Sequence, residues 1–137
     1  MINLQYIDHI VLRVKSLGTM LDFYQDILGC DIERHRDDIG LYQLRAGRCL
    51  IDLVPVDKPI GQRGGAAPGA KGRNLDHFCF RVEPFDPELI QAFLTEKKVQ
   101  YSPAEVRYGA DGNGLSIYIS DPEGNVIELK GPPSGNH

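Results

Sequence analysis

The sequence predicts an α+β fold of two βαβββ modules, and two patterns that occur once in each half indicate it. Residues 8–14 read DHIVLRV and residues 76–82 read DHFCFRV, so an Asp-His pair enters an apolar strand in each half. Further along each half a single acid interrupts an apolar run, LIDLV at 50–54 and VIEL at 126–129. Because a helix-like stretch follows both Asp-His strands, we expect the two halves to fold alike, with helices collected on one side of antiparallel-rich sheets.

The first module is predicted to cover about residues 5–56. Its opening strand, 6–14, carries apolar residues on both faces, which is typical of a covered central strand. Apolar residues at helical spacing then predict a helix that ends at Gly29. Three short strands are predicted near residues 30–36, 40–46 and 48–55. These elements in this order make one complete βαβββ module.

The second module is predicted to cover about residues 75–131, in the same order. A strand at 75–83 leads to Asp86 and Pro87, which favour a helix start because an acid caps the first turn and Pro suits the first helical position. Three strands are then predicted near 100–107, 114–120 and 125–131. Residues from Gly131 to His137 are expected to form a frayed tail.

Between the modules, residues 57–74 are rich in Gly and Pro and show no periodicity. Such a composition is typical of a linker or a mobile loop. The length of 137 residues fits one domain with a hydrophobic core, so residues 1–137 are predicted to form a single domain.

Composition argues against several classes of function. The formal net charge of −4 gives no basic footprint for nucleic acid, and no apolar run approaches the roughly 20 residues that span a membrane. The first residues lack the charged and apolar regions of a signal peptide, so we expect a cytoplasmic protein. The three cysteines have no CxxC spacing and are predicted to be buried free thiols.

Four metal-binding side-chain types stand at matching positions of the two modules: they are His9, Asp52, His77 and Glu128. An acid within an apolar strand is costly unless it is paired, hydrogen-bonded or bound to a metal. One such His or acid alone is more often a hydrogen-bonded or solvated residue, but the matched set favours a metal site. Two imidazoles and two carboxylates suit Zn²⁺, Ni²⁺, Mn²⁺ or Fe²⁺. Asp8 and Asp76 point to the strand faces opposite the histidines and are expected to make local hydrogen bonds.

These residues resemble the vicinal oxygen chelate superfamily, which includes glyoxalase I, fosfomycin-resistance enzymes, methylmalonyl-CoA epimerases, extradiol dioxygenases and bleomycin-resistance proteins. The opening segments 9–14 and 22–29 look like small bacterial glyoxalase I-like proteins, and the hairpin at 116–125 resembles glyoxalase-domain proteins generally. The resemblance covers the whole chain. It implies paired modules that form a cupped, partly closed mixed sheet with the helices outside, around one divalent metal held by His9 and Asp52 of one module and His77 and Glu128 of the other.

The resemblance also implies a glyoxalase-type lyase or isomerase, whose small substrate chelates the metal through adjacent oxygens. The metal would be Ni, Zn, Co or Mn, with glutathione or another thiol as a candidate cosubstrate. Either Glu128 or Asp52 would be catalytic and move a proton between two carbons of the substrate. The candidate substrate-binding residues are Arg13, which matches the Arg that grips the glutathione carboxylate in bacterial glyoxalase I, its repeat partner Arg81, and Tyr118 and Arg107 near the final strands.

Three alternatives stay open. Asp52 stands where bacterial glyoxalase I usually has Glu, and without it His9, His77 and Glu128 would form a two-His-one-carboxylate triad. Such a triad suits an extradiol-type dioxygenase with Fe²⁺, or a fosfomycin-resistance-type enzyme. The third alternative is a non-catalytic, ligand-sequestering protein of the bleomycin-resistance type, but those proteins lack the metal ligands that this chain keeps. Small members of the family commonly pair, so we expect a homodimer, with the site inside one chain or shared across the dimer.

Overall fold

The computed structural model describes residues 1–134, in which two βαβββ modules follow each other. Two compact units divide the chain, the first being Met1–Asn74 and the second beginning at Leu75. Each unit holds one helix and one four-stranded mixed sheet, which confirms the α+β class. In chain order the elements are β1 (His9–Val14), α1 (Leu17–Asp26), β2 (Asp31–Arg36), β3 (Leu41–Ala46), β4 (Cys49–Pro55), β5 (His77–Arg81), α2 (Pro87–Glu96), β6 (Glu105–Gly109), β7 (Gly112–Ser120) and β8 (Val126–Lys130).

The first unit orders its strands β1-β4-β3-β2, with β1 parallel to β4 and the other pairs antiparallel. The strand β1 is therefore an edge strand of this sheet, and the prediction of a central strand was wrong. Leu12 and Val14 are buried, whereas Val11, on the same face as His9, is 46% exposed. Apolar side chains on both faces of a strand do not show where it lies in the sheet. That position depends on how the chain returns from β1 to β4 through α1, β2 and β3.

The second unit repeats this order as β5-β8-β7-β6, with β5 parallel to β8. The helix α2 begins as predicted, since the side chain of Asp86 accepts hydrogen bonds from the backbone N–H groups of Glu88 and Leu89. The strand β6 starts only at Glu105, later than predicted. One physical reason is Pro103, which has no N–H to donate to the sheet.

The segment that follows β8 lies along β7. The backbone N–H of Gly131 donates to the carbonyl oxygen of Leu115 at 2.8 Å, and that of Ser134 donates to Asn113 at 2.8 Å. A Cβ atom at Gly114 would lie 2.8 Å from the carbonyl oxygen of Pro132, so this close approach requires glycine. The expectation of a frayed tail was therefore wrong for residues 131–134. Its remainder, including His137, lies outside the described residues.

Two further expectations concern cysteine and membranes. All three cysteines are free, but only Cys30 is buried, while Cys49 is half-buried and Cys79 is exposed. Neither helix in the described part of the chain is long and apolar enough to cross a membrane.

Candidate functional site

In the first unit, His9 and Asp52 are diagonal neighbours on one face of the parallel β1–β4 pair, where Val11 lies opposite Asp52. The Asp52 side chain is only 4% exposed, and its carboxylate accepts long hydrogen bonds of 3.3 and 3.4 Å from the side-chain amide of Gln43. Burial raises the pKa of the Asp52 carboxyl, against the smaller lowering effects of Gln43 and of His9. Asp52 is therefore a buried carboxylate with weak support for its negative charge.

In the second unit, His77 and Glu128 are in direct contact, with His77 Nε2 and Glu128 Oε1 3.2 Å apart. Glu128 is 6% exposed, and two hydroxyl groups donate to it: Ser116 Oγ to Oε2 at 2.6 Å and Tyr118 Oη to Oε1 at 3.0 Å. Burial acts to raise the pKa of Glu128, but these hydroxyls, together with the charges of His77 and Lys130, hold that pKa below its ordinary value. This carboxylate is accordingly stabilised as an anion.

Each histidine is oriented by the acid that precedes it in sequence. Asp8 Oδ2 lies 2.8 Å from His9 Nδ1, and Asp76 Oδ2 lies 2.6 Å from His77 Nδ1. The hydrogen bonds to Asp8 and Asp76 raise the pKa of the two imidazoles. The expectation of local hydrogen bonding by the two acids is confirmed. With Nδ1 held in this way, Nε2 is the nitrogen left to bind a metal ion, an arrangement that is usual for metal-ligating histidines.

The chemistry of these donors fits a divalent metal, because neutral imidazole nitrogen and buried carboxylate oxygen are the ligands such ions take. Within residues 1–134, however, no group of three or more His, Cys, Asp or Glu side chains comes together closely enough to hold a metal ion. Each unit supplies two of the four predicted ligands. The complete ligand set therefore remains a prediction.

Arg13 contacts the Gly-rich segment that follows β4. Its guanidinium donates to the carbonyl oxygens of Gly61 at 2.9 Å, Gly65 at 2.7 Å and Ala66 at 3.0 Å. Its backbone exchanges hydrogen bonds with the side chain of Asn74. The residue thus holds the segment 57–74 in place, and its predicted contact with a substrate carboxylate would compete with these carbonyl groups.

The other three predicted substrate contacts lie in the second unit. Arg81 forms ion pairs with Asp111 and, at 2.8 Å, with Glu83. The ring of Tyr118 packs edge-on against the imidazole of His77, with ring centroids 5.8 Å apart. Arg107 forms an ion pair with its near neighbour Glu105 at 2.8 Å. A smaller interaction with Tyr118 also raises the pKa of its guanidinium. Of the three, Tyr118 contacts the His77–Glu128 pair directly.

A pocket of about 370 Å³ lies beside the His77–Glu128 pair, a volume that suits a small ligand. Its lining residues are His77, Cys79, Arg81, Tyr108, Gly109, Ala110, Asp111, Glu128 and Lys130. Cys79 and Lys130 are not among the predicted site residues, although alternation along β5 and β8 places them on the same faces as His77 and Glu128. By contrast, Ser116 and Gln43 reach the carboxylates from neighbouring strands, and only the strand register reveals them.

Comparison with known proteins agrees with this architecture. Virulence protein STM3117 of Salmonella typhimurium is 29% identical over 128 residues, which cover 90% of this chain and 81% of that protein. The crystal structure of STM3117 has a TM-score of 0.80 at 24% identity and covers 96% of this chain and 100% of that chain. Lactoylglutathione lyase from Agrobacterium tumefaciens has a similar fold, with a TM-score of 0.66 at 21% identity and 92% of both chains covered. The fosfomycin resistance protein FosX from Listeria monocytogenes likewise has a TM-score of 0.68 at 17% identity, covering 96% of this chain and 97% of that one.

A family model also matches most of the chain. The model of the Glyoxalase/Bleomycin resistance protein/Dioxygenase superfamily covers residues 6–129, which include both modules and all four predicted metal ligands. The resemblance to the vicinal oxygen chelate proteins is thereby confirmed. The chain belongs to the glyoxalase/bleomycin resistance protein/dioxygenase superfamily.

Proposed function

We propose that the protein is a divalent-metal-dependent lyase or isomerase of the glyoxalase type, acting on a small substrate with two adjacent oxygens. The observation that carries the proposal is the His77–Glu128 pair, which borders a pocket of about 370 Å³. The pair combines a nitrogen donor, oriented through Asp76, with a carboxylate stabilised as an anion. These are the properties of a metal-ligating pair beside a substrate pocket.

We infer that one metal ion is held by His9, Asp52, His77 and Glu128, and that it is Ni²⁺, Zn²⁺, Co²⁺ or Mn²⁺. When bound, such an ion would polarise adjacent substrate oxygens as a Lewis acid. Its ligands would come from one chain or from two chains of a homodimer, which the family's common pairing supports.

The two carboxylates are the candidates for proton transfer. A general base must accept a proton near neutral pH and return it, so a carboxyl with a raised pKa suits the role better than one with a lowered pKa. Burial raises the pKa of Asp52, whereas its surroundings lower that of Glu128. We propose either Asp52 or Glu128 as the group that moves the proton, because a metal ion would itself lower the pKa of whichever carboxyl it binds.

A second candidate function follows from the weak support of Asp52. Within residues 1–134 its carboxylate accepts hydrogen bonds from one side chain, at 3.3–3.4 Å, and Asp is one methylene shorter than Glu. If Asp52 is not a ligand, His9, His77 and Glu128 remain as a two-His-one-carboxylate triad. That triad would support an extradiol-type dioxygenase with Fe²⁺, or a fosfomycin-resistance-type enzyme.

The experiment that tests the proposal is a reconstitution assay. Protein stripped with a chelator would be reloaded separately with Ni²⁺, Co²⁺, Zn²⁺, Mn²⁺ or Fe²⁺ and given methylglyoxal with glutathione, fosfomycin with a thiol or water, or catechol with oxygen. We expect turnover of the first mixture that depends on Ni²⁺, Co²⁺, Zn²⁺ or Mn²⁺ and is lost in Glu128→Gln. Turnover of catechol with Fe²⁺, or of fosfomycin, would favour the second candidate. Metal binding without turnover of any mixture would exclude these three substrates, and no metal binding would contradict the proposal.

A further inference from the structure

Lys130 is a buried cation in the pocket of the second unit, and beyond the effect of its charge on Glu128 it has no part in the proposed metal site or proton transfer. It is 8% exposed and lies two residues after Glu128 on the same face of β8, directly opposite Arg81 of β5. Since a strand rises about 3.3 Å per residue, Lys130 stands roughly 6–7 Å along the sheet from Glu128. The pocket therefore has a His77–Glu128 end and a cationic end.

The ammonium of Lys130 and the guanidinium of the neighbouring Arg81 have different hydrogen-bond partners. The ammonium donates to the backbone carbonyl oxygens of Arg107 and, at 3.1 Å, of Gly114. Both partners are neutral, and within residues 1–134 none of its hydrogen bonds goes to a carboxylate. Arg81, by contrast, forms ion pairs with Asp111 and Glu83. The charge of Lys130 interacts with that of Glu128, but no hydrogen bond joins the two groups in the described residues. An anionic ligand in direct contact with the ammonium would therefore lower the cost of burying it.

The fold makes room for the lysine at one position. A Cβ atom at Gly109 would lie 2.8 Å from Cε and 3.2 Å from Cδ of Lys130, so the absence of a side chain there lets the stem pass along the pocket wall. An ammonium has three N–H donors, and two carbonyl partners leave one of them for a ligand. Lys130 and Gly109 both line the pocket.

We propose that the Lys130 end of this pocket is a subsite for an oxyanion, either a carboxylate or a phosphate group of the substrate. This proposal rests on the proposed function and narrows its substrates to those that carry an anionic group. The substrate would carry its two chelating oxygens near His77 and Glu128, and its anionic group roughly 6–7 Å away at Lys130. Arg81 borders the same subsite, but its ion pairs make it the weaker contact.

The test uses the full chain freed of metal with a chelator, so that oxyanion binding is measured independently of any metal. Inorganic phosphate and acetate would be titrated at constant ionic strength, with backbone amide shifts of residues 108–111 and 128–130 as the readout. We expect saturable shifts at these residues. Lys130→Gln removes the charge but keeps a donor for the two carbonyl groups, and should weaken binding at least about tenfold. Lys130→Arg should retain binding within about threefold, because it keeps the positive charge.

A matched control is Lys71→Met, which removes an exposed lysine of the first unit and should leave phosphate binding unchanged. Lys130→Met is a second variant, useful if the glutamine variant folds poorly. Tighter binding of phosphate or of acetate identifies the group that the subsite takes. Saturable binding that is unchanged in Lys130→Gln, or no shifts at these residues with either anion, would overturn the inference. Because the protein is metal-free, a failure of metal binding leaves this result intact, and a failure here leaves the proposed function intact.

Discussion

The two units place their carboxylates at matching positions but surround them differently. Asp52 lies opposite Gln43 on the neighbouring antiparallel strand, and Glu128 lies opposite Tyr118 in the same way. Glu128 receives an additional short hydrogen bond from Ser116 and contacts the imidazole of His77. Within the described residues, the side-chain hydrogen bonds that the Asp52 carboxylate accepts are the two long ones from the Gln43 amide.

The two modules place a carboxylate at the same position of the fold, but its surroundings shift the pKa in opposite directions. Burial dominates at Asp52 and raises the pKa of its carboxyl. At Glu128 the same burial is outweighed by hydroxyl donors and nearby positive charges, so the pKa is lowered. In metal-free protein the second unit therefore holds its carboxyl as an anion, whereas burial in the first unit opposes the charge of its carboxyl.

Removing one carboxylate charge at a time should have the largest effect on metal binding and should distinguish the two units. Glu128→Gln is expected to weaken metal binding at least about 100-fold, and Asp52→Asn only about tenfold, because a preorganised anionic ligand contributes more than one with weak support. Metal affinity measured by competition with a chelating dye provides the test. Equal losses in the two variants would contradict the division of roles.

The acids behind the histidines should behave alike in the two units. Asp8→Asn and Asp76→Asn each remove a carboxylate that holds a histidine Nδ1 at 2.8 or 2.6 Å. We expect each to weaken metal binding by about tenfold, near the lower end of the usual effect of such changes. The two variants are each other's matched control, measured with the same dye. A large effect in one unit alone would show that only that unit contributes its histidine.

The hydroxyl of Ser116 offers a test that needs no metal. Ser116→Ala removes a 2.6 Å hydrogen bond to the buried Glu128 carboxylate, which keeps Tyr118 and His77 as partners. We expect the free energy of unfolding in urea to fall by about 1 kcal/mol. The matched change is Tyr118→Phe, which removes a 3.0 Å bond and should have a smaller effect. No loss of stability in either variant would mean that the hydroxyls do not support the anion.

The pH dependence of stability should have opposite signs at the two carboxyls of metal-free protein. Because the folded-state pKa of Glu128 is lowered, its stabilising contribution is present above its ordinary value of 4.5 and is lost as pH falls through the lower folded value. The folded-state pKa of Asp52 is raised above 3.8, so its anion destabilises the fold at neutral pH. Asp52→Asn should therefore stabilise the protein at pH 7, with the gain vanishing below 3.8, whereas Glu128→Gln should destabilise it at pH 7. Urea unfolding across this pH range provides the measurement, and the same sign for both variants would contradict the comparison.

Much of the architecture could be predicted because it depends on local patterns. Alternation placed His77 and Glu128 on their strand faces, and capping by Asp86 located the start of α2. The position of β1 at a sheet edge could not be predicted, because hydrophobicity does not specify the order of strands. The hydrogen bonds from Ser116 and Gln43 depend on register between strands, which single-sequence periodicity leaves open.

The ion pairs of Arg81 show a different limit. Its alternation pattern indicated the correct face, but its partner Asp111 lies in the turn between β6 and β7, far along the chain. Likewise, Arg13 has carbonyl partners in a segment whose composition indicates only a linker or loop. Contacts with irregular segments carry no periodic signal, so the roles of both arginines required the structure.

The metal content of untagged protein, purified without added metal, tests the proposed metal site most directly. Elemental analysis should be paired with titration of the chelator-treated protein and of Glu128→Gln. We expect about one equivalent of Ni, Zn, Co or Mn per chain, regained on titration by the native protein and not by the variant at the same metal concentration. No bound metal and no uptake on titration would contradict it.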